Sequence, residues 1–222
     1  RALVKIGSKC LVLKKLVCNQ CLKLTDAGIV GFFEGMTKGV ELGLCGPYGG
    51  LKYFDISSNI DCKEASVLAL AKYESTVQRY YPNQGLICLK MNGLSYVTAV
   101  ALMAMWKACT DLAYFEMKLE LSQTVTHRKS MMPHISDSIL IQARYHLLQG
   151  ANLSGCCLIS DEGICNLVEK CTENLRELDI SYCGLCTDLT LFHLAEFAGP
   201  RLKKLNVSGC NRMTNKGIIA LA

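Results

Sequence analysis

Fourteen cysteines in 222 residues are the feature of this sequence most able to do chemistry. Two pairs, Cys18 with Cys21 and Cys183 with Cys186, have the two-residue spacing at which neighbouring thiolates can close on one tetrahedral zinc ion. Nucleophilic catalysis would instead need a thiol or hydroxyl held beside a histidine that a third group orients. The four histidines, at 127, 134, 146 and 193, offer two in an expected loop and two on expected outer-face helices, a poor arrangement for such a pair. The run GPYGG at 46–50 lacks the lysine and hydroxyl of a phosphate-binding loop and reads as a turn. Four carboxylates, Asp26, Asp137, Asp161 and Asp188, each stand directly behind a Thr or Ser, as expected of residues that cap a helix and stabilise its N-terminal dipole.

The elements that would position these groups follow from a repeated nine-residue phrase, Leu-x-x-Leu-x-apolar-x-x-Cys. Leu175, Leu178, Ile180 and Cys183 make one copy; Leu202, Leu205, Val207 and Cys210 make another; Leu13, Leu16, Cys18 and Cys21 make a third. Weaker copies begin at Leu51, Leu86, Leu112 and Leu148, the last with Ala151 in place of the second Leu and with Cys156. Seven frames starting near 13, 51, 86, 112, 148, 175 and 202 thus span a single array over 1–222. Alternating apolar residues such as Leu178 and Ile180 point inward from a short strand. The Thr-Asp or Ser-Asp pair behind the phrase opens a helix that returns along the outer face. One such unit cannot bury its own apolar side, so neighbours must stack.

That periodicity decides the cysteine question. Cys21, Cys156, Cys183 and Cys210 take the same turn position in their units, and Cys18 an inward strand position, so packing accounts for them better than metal or disulfides. Cys10, Cys109 and Cys171 stand three or four residues before a repeat Leu, in a second slot at the end of the preceding helix. Thiols so placed imply an intracellular, cytoplasmic chain. No cofactor and no metal are implied.

With these residues in hand, the chain resembles the cysteine-containing leucine-rich repeats of F-box proteins with leucine-rich repeats and of related antagonist-of-mitotic-exit-like proteins. The resemblance implies an α/β leucine-rich-repeat horseshoe with a parallel concave sheet and convex helices. It further implies a target-recognition module of a ubiquitin-ligase subunit, whose adaptor would bind an F-box not visible in this chain. A structural scaffold in a cytoskeletal assembly such as a ciliary axoneme is the alternative, and a redox- or metal-dependent enzyme built on the cysteines is a more remote one. The opening RALVKIGSKC has neither an initiator Met nor an apolar signal core, and GIIALA stops where a repeat helix should still run, so the chain reads as a fragment of a longer protein.

Frame spacings of 38, 35 and 36 residues exceed the 26 and 27 of the others, and the excess is expected in loops: Gly39 to Gly50, Tyr80 to Gly85, and Ser122 to His134. Only 12 residues separate Ser136 from Leu148, which predicts a short helix or missing residues near Gln149. The 24 Lys and Arg against 19 Asp and Glu are scattered, too weak a balance for nucleic acid. The most apolar stretch, Val97 to Trp106, is half of the ~20 residues that cross a bilayer and reads as a buried helix. What remains for function is the concave face, where Lys15, Val17, Tyr53, Asp55, Lys90, Tyr114, Glu116, Lys118, Asn152, Glu177, Asp179, Tyr182 and Asn206 are expected to face a protein partner.

Overall fold

A computed structural model describes residues 1–47, 49–59, 61–94, 96–118, 135–143 and 146–221; the expected third loop, with His127 and His134, lies outside them. The chain divides into two compact units, Arg1–Leu112 and Ala113–Ala222. The first runs α1 (Ala2–Lys9), β1 (Lys15–Val17), α2 (Asp26–Glu41), β2 (Tyr53–Asp55), α3 (Glu64–Tyr80), β3 (Cys88–Lys90) and α4 (Ala99–Ala108). The second runs β4 (Tyr114–Glu116), α5 (Asp137–Gln142), β5 (Gly150–Asn152), α6 (Asp161–Lys170), β6 (Glu177–Asp179), α7 (Asp188–Phe197), β7 (Lys204–Asn206) and α8 (Asn215–Ala220). Every strand is three residues long and centred on the second apolar residue of a frame.

Within the first unit the strands pair in parallel, bringing Leu16 opposite Phe54 and Phe54 opposite Leu89. Within the second, Phe115, Ala151, Leu178 and Leu205 form the same row. Helices pack side by side behind each sheet, α1 to α4 in one unit and α5 to α8 in the other. The first core is aromatic: the Phe33 ring meets Phe54 edge-on at 5.1 Å and Tyr73 at 5.2 Å. α1 can lie close to α2 because Gly7 has no side chain; a Cβ there would stand 2.1 Å from the Phe32 carbonyl oxygen. Val97 to Trp106 does enter a buried helix, α4, and no described helix is long and apolar enough to cross a membrane.

The first two insertions are not simply loops. α2 and α3 have 16 and 17 residues where α4, α6 and α7 have ten, so much of the extra length extends helices, and Gly39 and Tyr80 are helical. At about 1.5 Å per residue this adds roughly 9 Å to the outer layer, and the added turns bury Met36, Val40 and Val77. α5, by contrast, has six residues, as the short interval before Leu148 predicts.

Two sets of polar bonds tie one repeat to the next, and a third works within the repeat. At the ninth phrase position Cys156, Cys183 and Cys210 donate their S–H to the carbonyls of Met117, Leu153 and Ile180 in the preceding rung, at 3.3, 3.3 and 3.1 Å. Asn59 does the same with its Nδ2, reaching the Cys18 carbonyl at 2.6 Å. Cys21 and Cys10 are exposed, so neither fills the core slot its spacing predicts, although Cys109 and Cys171 do.

The second set corrects the role expected of the helix-start carboxylates. They lie in first turns, but they accept hydrogen bonds from the N-cap of the following helix. Asp26 takes Lys63 N–H and both donors of Ser66; Asp137 takes Ser160; Asp188 takes Thr214. Asp161 takes the N–H and hydroxyl of both Thr187 and Thr190, at 2.5 to 3.1 Å. Burial pushes the Asp161 pKa up, but those four bonds outweigh it and hold the carboxyl below its ordinary value. Three residues past each cap stands either a hydroxyl that joins the clasp, Ser66 or Thr190, or a glycine that leaves it room, Gly163 or Gly217.

The third set closes four of the strands, β2, β5, β6 and β7. Asp55, Asn152, Asp179 and Asn206 accept the N–H of the serine two residues on, at 2.9 to 3.1 Å, the local bond of an Asx turn. The turn then passes through a left-handed residue at the eighth phrase position: Gln20, Ser58, Gly93, Gly155, Tyr182 and Gly209 all have φ between 54° and 76°.

Candidate functional site

None of the chemistry offered by the sequence assembles into a reactive centre among the described residues. No group of three or more His, Cys, Asp or Glu side chains converges as a metal site there. Cys183 and Cys186 are buried, Cys18 is buried beside exposed Cys21, and burial raises the Cys18 and Cys156 thiols to about 11 and about 12, far from the thiolate that metal binding or nucleophilic attack requires. His193 pairs with Glu169 at 2.9 Å on the surface of α7, and His146 lies in an exposed turn before β5 rather than in a helix.

The sheet faces are different, because alternation along each strand turns the first and third residues away from the core. In the first unit these are Lys15 and Val17, Tyr53 and Asp55, Cys88 and Lys90. The Lys15 ammonium lies over the Tyr53 ring, 4.5 Å from its centroid. Asp55 is only 7 % exposed, its carboxylate turned to Ser57. In the second unit the outward residues are Tyr114 and Glu116, Gly150 and Asn152, Glu177 and Asp179, Lys204 and Asn206. They surround a depression of about 260 Å³. Tyr114 lies against Gly150, where an added Cβ would be 2.8 Å from the ring, and its hydroxyl donates to Gln149 at 3.1 Å. Lys204 pairs with Glu177 at 2.8 Å, and Asn206 donates to Asp179 at 3.0 Å. Lys118 is half-buried, just past the end of β4.

Tyr182 is not on a strand. It occupies the left-handed turn position after β6, with φ +60°, where sister repeats carry Gly93, Gly155 and Gly209. It is 59 % exposed and lies against Gly209, where a Cβ would be 2.5 Å from the ring. A large aromatic in a conformation that favours glycine carries a local cost of roughly 1 kcal/mol. The glycine at this position in three other repeats was the sequence signal for it. The Asx residues were also legible, as Asp or Asn two places before Ser at 55, 152, 179 and 206.

Short parallel strands alternating with helices, with an Asn or Cys at four of the turns donating to the rung before, define a leucine-rich-repeat solenoid, a fold generally used as a non-catalytic protein-interaction module. The family model for the Leucine Rich repeat matches residues 201–222. No curated protein matches the sequence. Among solved structures the chain is similar to one from the yeast complex of Rad7 and Elc1, with a TM-score of 0.62 and 16 % identity over 87 % of this chain and 42 % of that one. It thus spans less than half the length of that protein. The tropomodulin C-terminal domain of Caenorhabditis elegans aligns over 89 % of both chains with 9 % identity and a TM-score of 0.47.

Proposed function

We propose that the chain is a non-catalytic recognition module that binds another protein through the sheet faces of its units and the turns beside them, on Lys15, Tyr53, Lys90, Tyr114, Glu116, Lys118, Glu177, Asp179, Tyr182 and Asn206, with Asp55 holding the turn after Tyr53. Its fuller role is target recognition in an F-box leucine-rich-repeat subunit of a ubiquitin ligase, of the cysteine-containing class. The observation that carries the binding reading is Tyr182. It stands exposed at a position where folding favours glycine, and retaining a strained aromatic there is explained by what it contacts outside the chain. Asp55 acts through its turn rather than by contact. The ligase role draws on the nine-residue phrase and its cysteines, and on the fold shared with a chain of Rad7 and Elc1, two proteins solved in complex. Buried free thiols favour a reducing, intracellular setting.

The test is site-specific photo-cross-linking in the full-length protein, with benzoylphenylalanine in place of Tyr114 or, as an outer-face control, of exposed Glu196. A discrete protein joined through position 114 and not 196 is expected, together with co-purification of a ligase adaptor and ubiquitylation of the cross-linked protein. Cross-links from 196 alone would contradict the sheet-face reading. Absence of the adaptor would contradict the ligase role.

A further inference from the structure

We propose that the depression on the sheet face of the second unit receives a lysine or arginine side chain from the protein partner, an inference that rests on the sheet face being the binding surface. Its size, about 260 Å³, corresponds to fewer than ten waters at about 30 Å³ each. That is room for one long side chain. Gly150 forms its floor and Tyr114 one wall. Among the described residues Glu116, Glu177 and Asp179 line it with one cation, Lys204, so this lining is net acidic.

The turn that Asp179 closes does not itself require a charge, although the carboxylate also accepts the Ser181 hydroxyl at 2.6 Å and Asn206 Nδ2 at 3.0 Å. Its turn bond to Ser181 is made equally well by the neutral amides of Asn152 and Asn206 at the same position of the adjoining repeats. The chain also shows twice how its sheet face accepts an ammonium. Lys204 sits on Glu177 at 2.8 Å, where that hydrogen bond and charge, with Tyr114 nearby, raise its pKa. In the first unit Lys15 lies over Tyr53, which has the same place in its repeat as Tyr114. A partner cation entering between Tyr114 and Asp179 meets the same two kinds of contact.

The test titrates the chain with a blocked pentapeptide of alternating glycine and arginine, read by amide chemical shifts, with the glutamate counterpart as control. The arginine peptide should shift Tyr114, Asn152 and Asp179 and the glutamate peptide should not. Combining Glu116→Gln with Asp179→Asn, which keeps the turn acceptor, should weaken binding roughly threefold to tenfold, as loss of two partly exposed charge pairs implies. Equal shifts with both peptides, no arginine-dependent shift, or affinity unchanged in the double variant would overturn the inference. If that variant still holds a protein cross-linked through position 114 as tightly as the parent does, the cation inference fails and the sheet-face reading stands. Cross-links from 196 alone would end both.

Discussion

Replacing Gly163 by Ala sets two physical effects against each other. Gly163 lies inside α6, where Ala should be favoured over Gly by about 1 kcal/mol on helix propensity. The added Cβ, however, would stand 2.2 Å from Asp137 Oδ1 and 3.1 Å from the Asp137 Cα. The carboxylate can turn aside only by releasing Ser160, whose N–H and hydroxyl it holds at 2.8 and 2.6 Å, and the Cα cannot yield without moving the start of α5. Two charge-assisted bonds to a partly exposed acceptor are worth about 1 kcal/mol each after allowance for solvent, and overpacking costs about 1–3 kcal/mol. The net expectation is a loss of about 2–4 kcal/mol, a midpoint lower by roughly 1 M in urea unfolding followed by circular dichroism. Gly184→Ala, with nothing within 4 Å of its Cβ, is the control and should change stability by less than about 0.5 kcal/mol. A Gly163→Ala variant as stable as the parent or more so would refute the carboxylate clasp as a tie between repeats.

Three further outcomes follow from the buried polar groups. Burial raises the Glu74 pKa to about 8 from an ordinary 4.5, so between those values the unfolded chain releases a proton that the folded chain keeps. Stability should therefore be full below pH 4.5, fall by about 1.4 kcal/mol per pH unit above it and be lost through pH 8, while Glu74→Gln, which can still accept the Leu86 N–H, should remove that slope in pH-dependent urea unfolding. The lowered Asp161 pKa has the opposite sign: its stabilisation is present above the ordinary value of 3.8 and disappears as pH falls through the folded value, so Asp161→Asn should flatten the acid limb of the same curve. In thiol labelling, Cys10 and Cys21 should react at once and Cys156, Cys183 and Cys210 only on unfolding; simultaneous reaction of all five would contradict the rung-to-rung thiol bonds.

The strand rows were legible because burial has a short period. Leu16, Phe54, Leu89, Phe115, Ala151, Leu178 and Leu205 can be read from the phrase alone, and each centres a strand. The caps Ser160 and Thr187 were legible as well, since their bonds reach only two residues along the chain. What a single repeat could not disclose is a bond whose partner lies one repeat away. Asp161 looks like a local helix-start residue until Thr187 and Thr190 are seen to converge on it from 26 and 29 residues further on. The length of α2 and α3 was hidden because extra residues that lengthen a helix leave the same gap between frames as a loop does. Tyr182 was expected on the sheet face from its place between the inward residues of its frame; its left-handed backbone emerges only when its position is aligned with Gly93, Gly155 and Gly209.

The most direct test of the account is Tyr182→Gly, measured for both stability and partner affinity. Glycine suits φ +60°, so the unfolding midpoint should stay level or rise, while affinity for the protein cross-linked through the sheet face should fall about tenfold, as for loss of an aromatic anchor. A variant that unfolds more easily yet binds as well as the parent would show that Tyr182 serves the fold and not recognition.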